Sequence, residues 1–259
     1  MPLHTDTDIP HFTFALLDAA GVQHAVFTRQ GGVSPPPWNS LNMGGTVGDQ
    51  RERVLANIRR GLQFFGRDLR SVYDVWQVHG RDVICASAPR NGAEYARADA
   101  ILSDTPGLTL MMRFADCVPV LLYDPVHRVA GMVHAGWQGT VKGVVLAAVE
   151  RMQVQYGSRP QDILAGIGPS IGPDHYEVGP EVVVQVQEAF GAQADTLLFT
   201  PNGRTHLDLW RANALWLHQA GVQQVEIAGL CTACDLEHWY SHRAEGGATG
   251  RFGAMIVVP

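Results

Sequence analysis

Three short segments carry the residues best suited to chemistry. Gln77-Val78-His79-Gly80 closes a strand-like stretch. Ala115-Asp116-Cys117-Val118-Pro119 lies between two apolar runs, and His134-Ala135-Gly136-Trp137 ends a third run just ahead of a helical pattern. Each puts a potential metal donor at a strand end, where a rigid scaffold presents functional groups on loops. Two imidazoles and a thiolate suit Zn²⁺, and a catalytic zinc takes three protein ligands and keeps a fourth position for water. Water on such a zinc has a pKa of about 7, which supplies hydroxide at neutral pH. Gly80 and Gly136 leave room for a substrate, and Asp116 could orient a ligand or move a proton. Spacing alone does not join the three donors, because long-range ligand sets have no fixed separation. A lone cysteine in an apolar stretch is more often a small core hydrophobe.

A second cysteine pattern, Cys231-Thr232-Ala233-Cys234, is a C-x-x-C that follows a strand. The redox use of this motif wants a thioredoxin-like βαβ setting, and a structural zinc wants a second pair. Neither is present in the sequence, so Cys234 reads as incidental. His206, His238 and His242 read as structural.

The elements that must position these residues are mixed. Val54, Leu55, Ile58, Leu62 and Phe65 recur at helical spacing after Asp49, a candidate N-cap. Val72 to Val78, Val83 to Ala86, Leu108 to Met112, Val118 to Tyr123 and Val129 to Val133 have strand length and turn residues around them. Val141, Val144, Val145, Ala148, Val149 and Met152 share one helical face. Further helices are expected over Pro180 to Phe190 and Leu209 to Ala220, with strands at Ala25 to Thr28, Ile163 to Ile167, Val225 to Leu230 and Met255 to Val258. Strands outnumber helices and do not alternate with them, so the expected class is α+β, a single domain over 1–259 with mixed β-sheets flanked by helices. No glycine-rich dinucleotide or P-loop fingerprint is present.

The 259 residues are 46% hydrophobic with a formal charge of −6. That balance argues against a nucleic-acid surface, which wants a basic face. Four cysteines are too few for a disulfide framework, no apolar run is long enough to span a bilayer, and the N-terminus lacks the apolar core of a secretory signal. A cytoplasmic protein with reduced thiols is expected, with no membrane or nucleic-acid partner. The assembly, a homodimer included, is left open.

Ordered segments along nearly the whole chain carry a family resemblance. They include Phe27-Thr28-Arg29, Ser40-Leu41-Asn42-Met43-Gly44, Val47-Gly48-Asp49 and Gln77-Val78-His79-Gly80. Ala98-Asp99-Ala100, the Asp116-Cys117 segment and His134-Ala135-Gly136-Trp137 follow. Later come Gly168-Pro169-Ser170-Ile171, Tyr176-Glu177-Val178-Gly179, Cys231-Thr232, Tyr240-Ser241-His242-Arg243 and Thr249-Gly250-Arg251. In these the chain resembles the YfiH-like family, formerly described as multicopper polyphenol oxidoreductases (laccases) and later as purine nucleoside phosphorylases. Gln138 departs from the family pattern, which usually has arginine after the tryptophan; an anion-binding role for that arginine would make affinity or substrate choice differ here. The resemblance implies zinc at the positions of His79, Cys117 and His134. It implies phosphorolysis of adenosine, inosine and methylthioadenosine to free base and ribose 1-phosphate, together with deamination of adenosine. A role as a peptidoglycan-editing factor is also associated with the family.

Those activities fit the residue types. Arg29, Arg243 and Arg251 are candidates for phosphate, since guanidinium groups match its geometry bidentately. Asn42 is a candidate for a base or sugar hydroxyl, or simply supplies a positive φ in a turn. Two other enzyme classes stay in view. A copper-dependent polyphenol oxidase (Cu²⁺ in place of zinc) wants several H-x-H pairs, and the 11 histidines here form none. A cysteine hydrolase with Cys117 as nucleophile and His134 as base is chemically reasonable.

Overall fold

The computed structural model describes residues 3–259. Strand Thr109–Phe114 shows the plan of the molecule. Leu110, Met112 and Phe114 enter one apolar cluster, while Met111 enters another on the opposite face. Alternate side chains of a strand point to opposite faces, so this strand is covered on both sides. Strand Val118–Asp124 behaves likewise: Val118, Val120 and Leu122 face one core, Leu121 and Tyr123 a second. Strands buried on both faces need near-continuous apolar sequence, which is why these runs stand out.

Two six-stranded sheets result. The first runs Leu3–His4, His11–Phe12, His24–Phe27, Phe252–Val257, Thr109–Phe114, Val72–Asp74. The second runs Gln224–Ile227, Leu164–Ile167, Val118–Asp124, Val129–Ala135, Ala100–Ser103, Val83–Cys85. Both are mostly antiparallel with parallel pairs at the edges, such as Val72–Asp74 with Thr109–Phe114. The sheets pack face to face over Phe12, Phe14, Phe114, Leu121, Met132 and Phe252. Helix Arg51–Phe64 covers the outer face of the first sheet with Val54, Ile58 and Leu62. Helices Val144–Tyr156, Pro180–Phe190 and Leu209–Gln219 cover the outer face of the second. The order is helix, sheet, sheet, helices: the expected α+β class with mixed sheets. Among the described residues no helix is long and apolar enough to cross a membrane.

Three local expectations change. Asp49 is not the helix N-cap; Gln50 occupies that place, and the Asp49 carboxylate instead accepts from Ser34 Oγ and Asn42 Nδ2. The helix expected from Val141 is split. A short helix Trp137–Val141 ends, Gly143 takes φ +73, and the long helix restarts at Val144. A left-handed glycine costs no Cβ clash and lets the chain turn between the two. The strand expected to reach Val78 stops at Asp74. Beyond it the Gln77 side-chain amide takes over, donating to the Arg113 carbonyl and accepting from the Arg113 amide at 2.8 and 3.0 Å. The chain therefore leaves the sheet and delivers His79 in a loop.

Candidate metal and nucleoside site

Cys117 sits in a tight turn, Ala115 to Cys117, that carries the chain from the first sheet to the second. Asp116 makes that turn at φ +82, a region Asp tolerates better than most residues. Both of its carboxylate oxygens are engaged. Oδ1 accepts from the Thr232 and Ser241 hydroxyls at 2.7 Å each, and Oδ2 from the Arg243 amide at 2.6 Å. Asp116 therefore ties the Cys117 turn to two distant loops. The expected role of Asp116, to orient a ligand or move a proton, stands beside this bracing role, since Oδ2 accepts a single hydrogen bond.

His134 lies near the end of strand Val129–Ala135, the neighbour of Val118–Asp124, so sheet register brings it beside Cys117. His79 arrives on the loop after Gln77 at φ +57. The donor atoms of His79, Cys117 and His134 all lie within 4.8 Å of one another. Cys117 Sγ is 3.8 Å from His79 Nε2.

One buried carboxylate holds the ring of His134 and the backbone of His79. Asp99 Oδ1 accepts from His134 Nδ1 at 2.8 Å and from the His79 amide at 3.0 Å. Its Oδ2 accepts from the amides of Gly80 and Val78 at 2.7 and 3.2 Å. With Nδ1 occupied, His134 has Nε2 left for a ligand. Burial alone would raise the Asp99 pKa; the His134 hydrogen bond and charge, with the Gly80 and Val78 amides, outweigh it and hold it below the usual carboxylate range.

The same balance acts on the thiol. Burial opposes ionisation of Cys117, but the charges and hydrogen bonds of His134 and His79 bring its pKa down to about 6. Burial disfavours the His134 imidazolium, yet Cys117 and Asp99 together raise it to about 9. Without a metal the pair is a thiolate and an imidazolium.

The donor set fits zinc. Tetrahedral zinc with ordinary Zn–S and Zn–N bonds separates sulfur from nitrogen by about 3.6 Å, near the 3.8 Å between Cys117 and His79. The close approach of two of the donors also depends on a glycine. A Cβ on Gly136 would lie 2.8 Å from Cys117 Sγ and 3.0 Å from His79 Cδ2.

The substrate candidates divide. Arg29 is buried: Nε donates to the Asn39 carbonyl, NH1 to the Leu236 carbonyl and Glu245, and the guanidinium sits 4.5 Å over the Tyr240 ring. Asn42 is also fully buried, with Oδ1 accepting from the Gly44 and Arg251 amides and Nδ2 donating to Asp49 and the Gly44 carbonyl. Both act in this structure as internal braces, and Asn42 has no positive φ. Arg251 is half-buried and feels the charges of Cys117 and Asp116. Arg243 is exposed, its guanidinium 5.1 Å over the Tyr176 ring. Tyr176 in turn feels the charge of Cys117. Arg243 and Tyr176 thus lie together, with the Arg243 guanidinium donating to the Glu177 carbonyl and that of Arg251 to the Thr249 and Gly250 carbonyls. Gln138 lies half-buried in the short helix after Gly136.

Sequence reasoning missed Asp99, Tyr176 and Lys142, whose Nζ donates to the His79 carbonyl at 3.1 Å. The triplet Ala98-Asp99-Ala100 was the one available signal for Asp99. Cys234, read from the sequence as incidental, has its thiol 3.5 Å from His175 Nδ1.

A family model described as "Multi-copper polyphenol oxidoreductase laccase" matches residues 23–259. The solved YfiH protein of Bacillus licheniformis superposes with TM-score 0.91 at 32% identity, over 100% of this chain and 99% of that one. The chain belongs to the YfiH-like family. Within that family, a curated relative from Deinococcus radiodurans named "Purine nucleoside phosphorylase" is 39% identical over 92% of this chain and 90% of its own length. The "Purine nucleoside phosphorylase YlmD" of Geobacillus stearothermophilus is 36% identical over 92% and 90%. The solved YlmD structure from that organism gives TM-score 0.92 over 98% of this chain and 97% of that one. Whole-chain YfiH-like relatives thus carry the purine nucleoside phosphorylase name, and the family model the laccase description.

Proposed function

We propose that this protein is a zinc-dependent purine nucleoside phosphorylase of the cytoplasm. It acts on adenosine, inosine and methylthioadenosine, and also deaminates adenosine. The observation that carries the reading is the convergence of the His79, Cys117 and His134 donors within 4.8 Å, with Asp99 bracing the His134 ring and the His79 backbone. The names of the relatives support the substrate class.

His79, Cys117 and His134 would hold the ion. A zinc bound there supplies Lewis acidity in a partly buried site. The rest of the work falls to the protein. Asp99 fixes the ring of His134 and the backbone of His79, so the site is organised before substrate arrives. Gly136 lets Cys117 and His79 pack directly against its backbone. Arg243 and Arg251 bind phosphate by charge and hydrogen bonding. Phosphorolysis breaks the bond from ribose C1′ to the purine nitrogen and joins C1′ to a phosphate oxygen; an arginine-bound phosphate is held for that attack. Deamination replaces the 6-amino group with a water oxygen and releases ammonia.

A nucleoside panel with and without phosphate, followed by product chromatography, tests the reading. The expected products are free base and ribose 1-phosphate only when phosphate is present, and inosine from adenosine in its absence. Failure to turn over any purine nucleoside, with oxidation of a phenol in the same preparation, would favour the copper reading.

A further inference from the structure

We propose a second metal-binding site, made by His175, Cys231 and Cys234, that takes a zinc-class divalent cation. The three donor atoms lie within 4.8 Å of one another. His175 Nδ1 is 3.8 Å from Cys231 Sγ and 3.5 Å from Cys234 Sγ. Both values bracket the separation of about 3.6 Å between sulfur and nitrogen on tetrahedral zinc. The site shares no residue with the His79, Cys117 and His134 cluster, and it stands whether or not the proposed activity does.

The backbone brings the two sulfurs together and gives one of them a donor. Cys231 to Cys234 form a turn, and two-residue spacing on a turn sets both sulfurs on one side, as in structural zinc sites. The Gly172 amide donates to Cys231 Sγ at 3.1 Å, a bond that favours the ionised sulfur. Gly172 also lies so close to Cys231 that a Cβ there would sit 3.0 Å from the cysteine Cβ. Asp174 and Asp235 adjoin His175 and Cys234 in the chain. His175 and Cys234 are exposed, so water is at hand for a fourth coordination position. Binding takes the ion from water, and each cysteine gives up its thiol proton to solvent, so two protons leave as two sulfur–metal bonds form.

The position gives the ion a structural task. His175 precedes Tyr176, whose ring underlies Arg243. Cys231 precedes Thr232, whose hydroxyl holds Asp116 beside Cys117. An ion here pins the 172–176 loop to the 231–234 turn, and both carry parts of the nucleoside site wall.

The test counts zinc by elemental analysis in untagged, full-length protein dialysed against zinc and then against buffer. The double substitution Cys231→Ser with Cys234→Ser is compared with wild type, with circular dichroism confirming folding. His175→Ala serves as a milder second variant. The expected result is one zinc fewer per chain in each variant than in wild type. A Co²⁺-loaded Cys117→Ser variant should keep thiolate charge-transfer absorption, since two sulfurs remain at the second site. Equal zinc counts in wild type and both variants would overturn the proposal. So would a Cys231–Cys234 disulfide in the freshly purified protein, seen as a mass two hydrogens lower. Loss of the nucleoside-site metal alone would lower wild type and the double variant equally and leave their difference at one.

Discussion

Asp99 Oδ1 lies 2.8 Å from His134 Nδ1 and 3.0 Å from the backbone amide of His79. One oxygen thus fixes the ring of one proposed ligand and the chain of another. Outer-sphere carboxylates of this kind typically contribute 10- to 100-fold in metal affinity. Asp99→Asn keeps the shape but replaces one oxygen by a donor that faces amide hydrogens. Competition with a chromogenic chelator should show zinc affinity reduced by about 10- to 100-fold. An unchanged affinity would remove Asp99 from the metal centre.

The ionisation of Cys117 gives a pH prediction. Its pKa is lowered to about 6 by the two histidines against the pull of burial. In metal-free protein the thiolate therefore dominates at pH 7, and iodoacetamide reactivity should fall as the pH drops through about 6. An ordinary thiol would lose reactivity near about 8.5. His134→Ala removes the main opposing charge and leaves burial, so the midpoint should move upward. Zinc loading should protect the thiol. Rapid alkylation with zinc present would instead support a nucleophilic Cys117.

Gly136 tests the steric side of the site. Gly136→Ala puts a methyl group 2.8 Å from Cys117 Sγ and 3.0 Å from His79 Cδ2. The fold should survive, because the φ of Gly136 is −69° and any residue adopts that value. Zinc content should fall while far-ultraviolet circular dichroism stays unchanged.

The sequence showed the ligand types and the strand-end placement of Cys117 and His134, because apolar runs and turn residues mark strands plainly, but it put His79 at a strand end where the structure has a loop. It did not show convergence. Cys117 and His134 meet through the register of adjacent strands, while His79 arrives by a loop held on Asp99. The resemblance, not the spacing, linked them. Asp99 stood only as part of a resemblance segment, because a carboxylate between two alanines says nothing about its hydrogen bonds. The partner of Cys231 and Cys234 was silent for the same reason: His175 comes from 56 residues away. Asn42 was read as a candidate for a base or sugar hydroxyl, or as a turn residue, while in the structure its carboxamide bridges Gly44, Asp49 and Arg251 across the chain. The sheet pairing, with the chain crossing between sheets at Asp116, is likewise a long-range outcome that local periodicity does not encode.

Arginine roles separate by stability and binding. Arg29 is buried against Glu245, Tyr240 and the Leu236 carbonyl, so Arg29→Ala should lower Tm. Arg243 is exposed over Tyr176, so Arg243→Ala should raise the KM for phosphate with little change in Tm. Asn42→Ala leaves the Gly44 and Arg251 amides without their acceptor, a cost of about 1–3 kcal/mol for each buried group left unpaired. Thermal melts and phosphate titrations of the three variants check this. A phosphate KM that rises in Arg29→Ala but not in Arg243→Ala would reverse the assignment.

The most direct test of the metal centre measures zinc and adenosine phosphorolysis together in wild type and His134→Ala. The folded variant is expected to lose the zinc held at the His79 and Cys117 site, and with it the phosphate-dependent release of adenine. Wild-type turnover in a His134→Ala protein shown to lack that zinc would contradict the account.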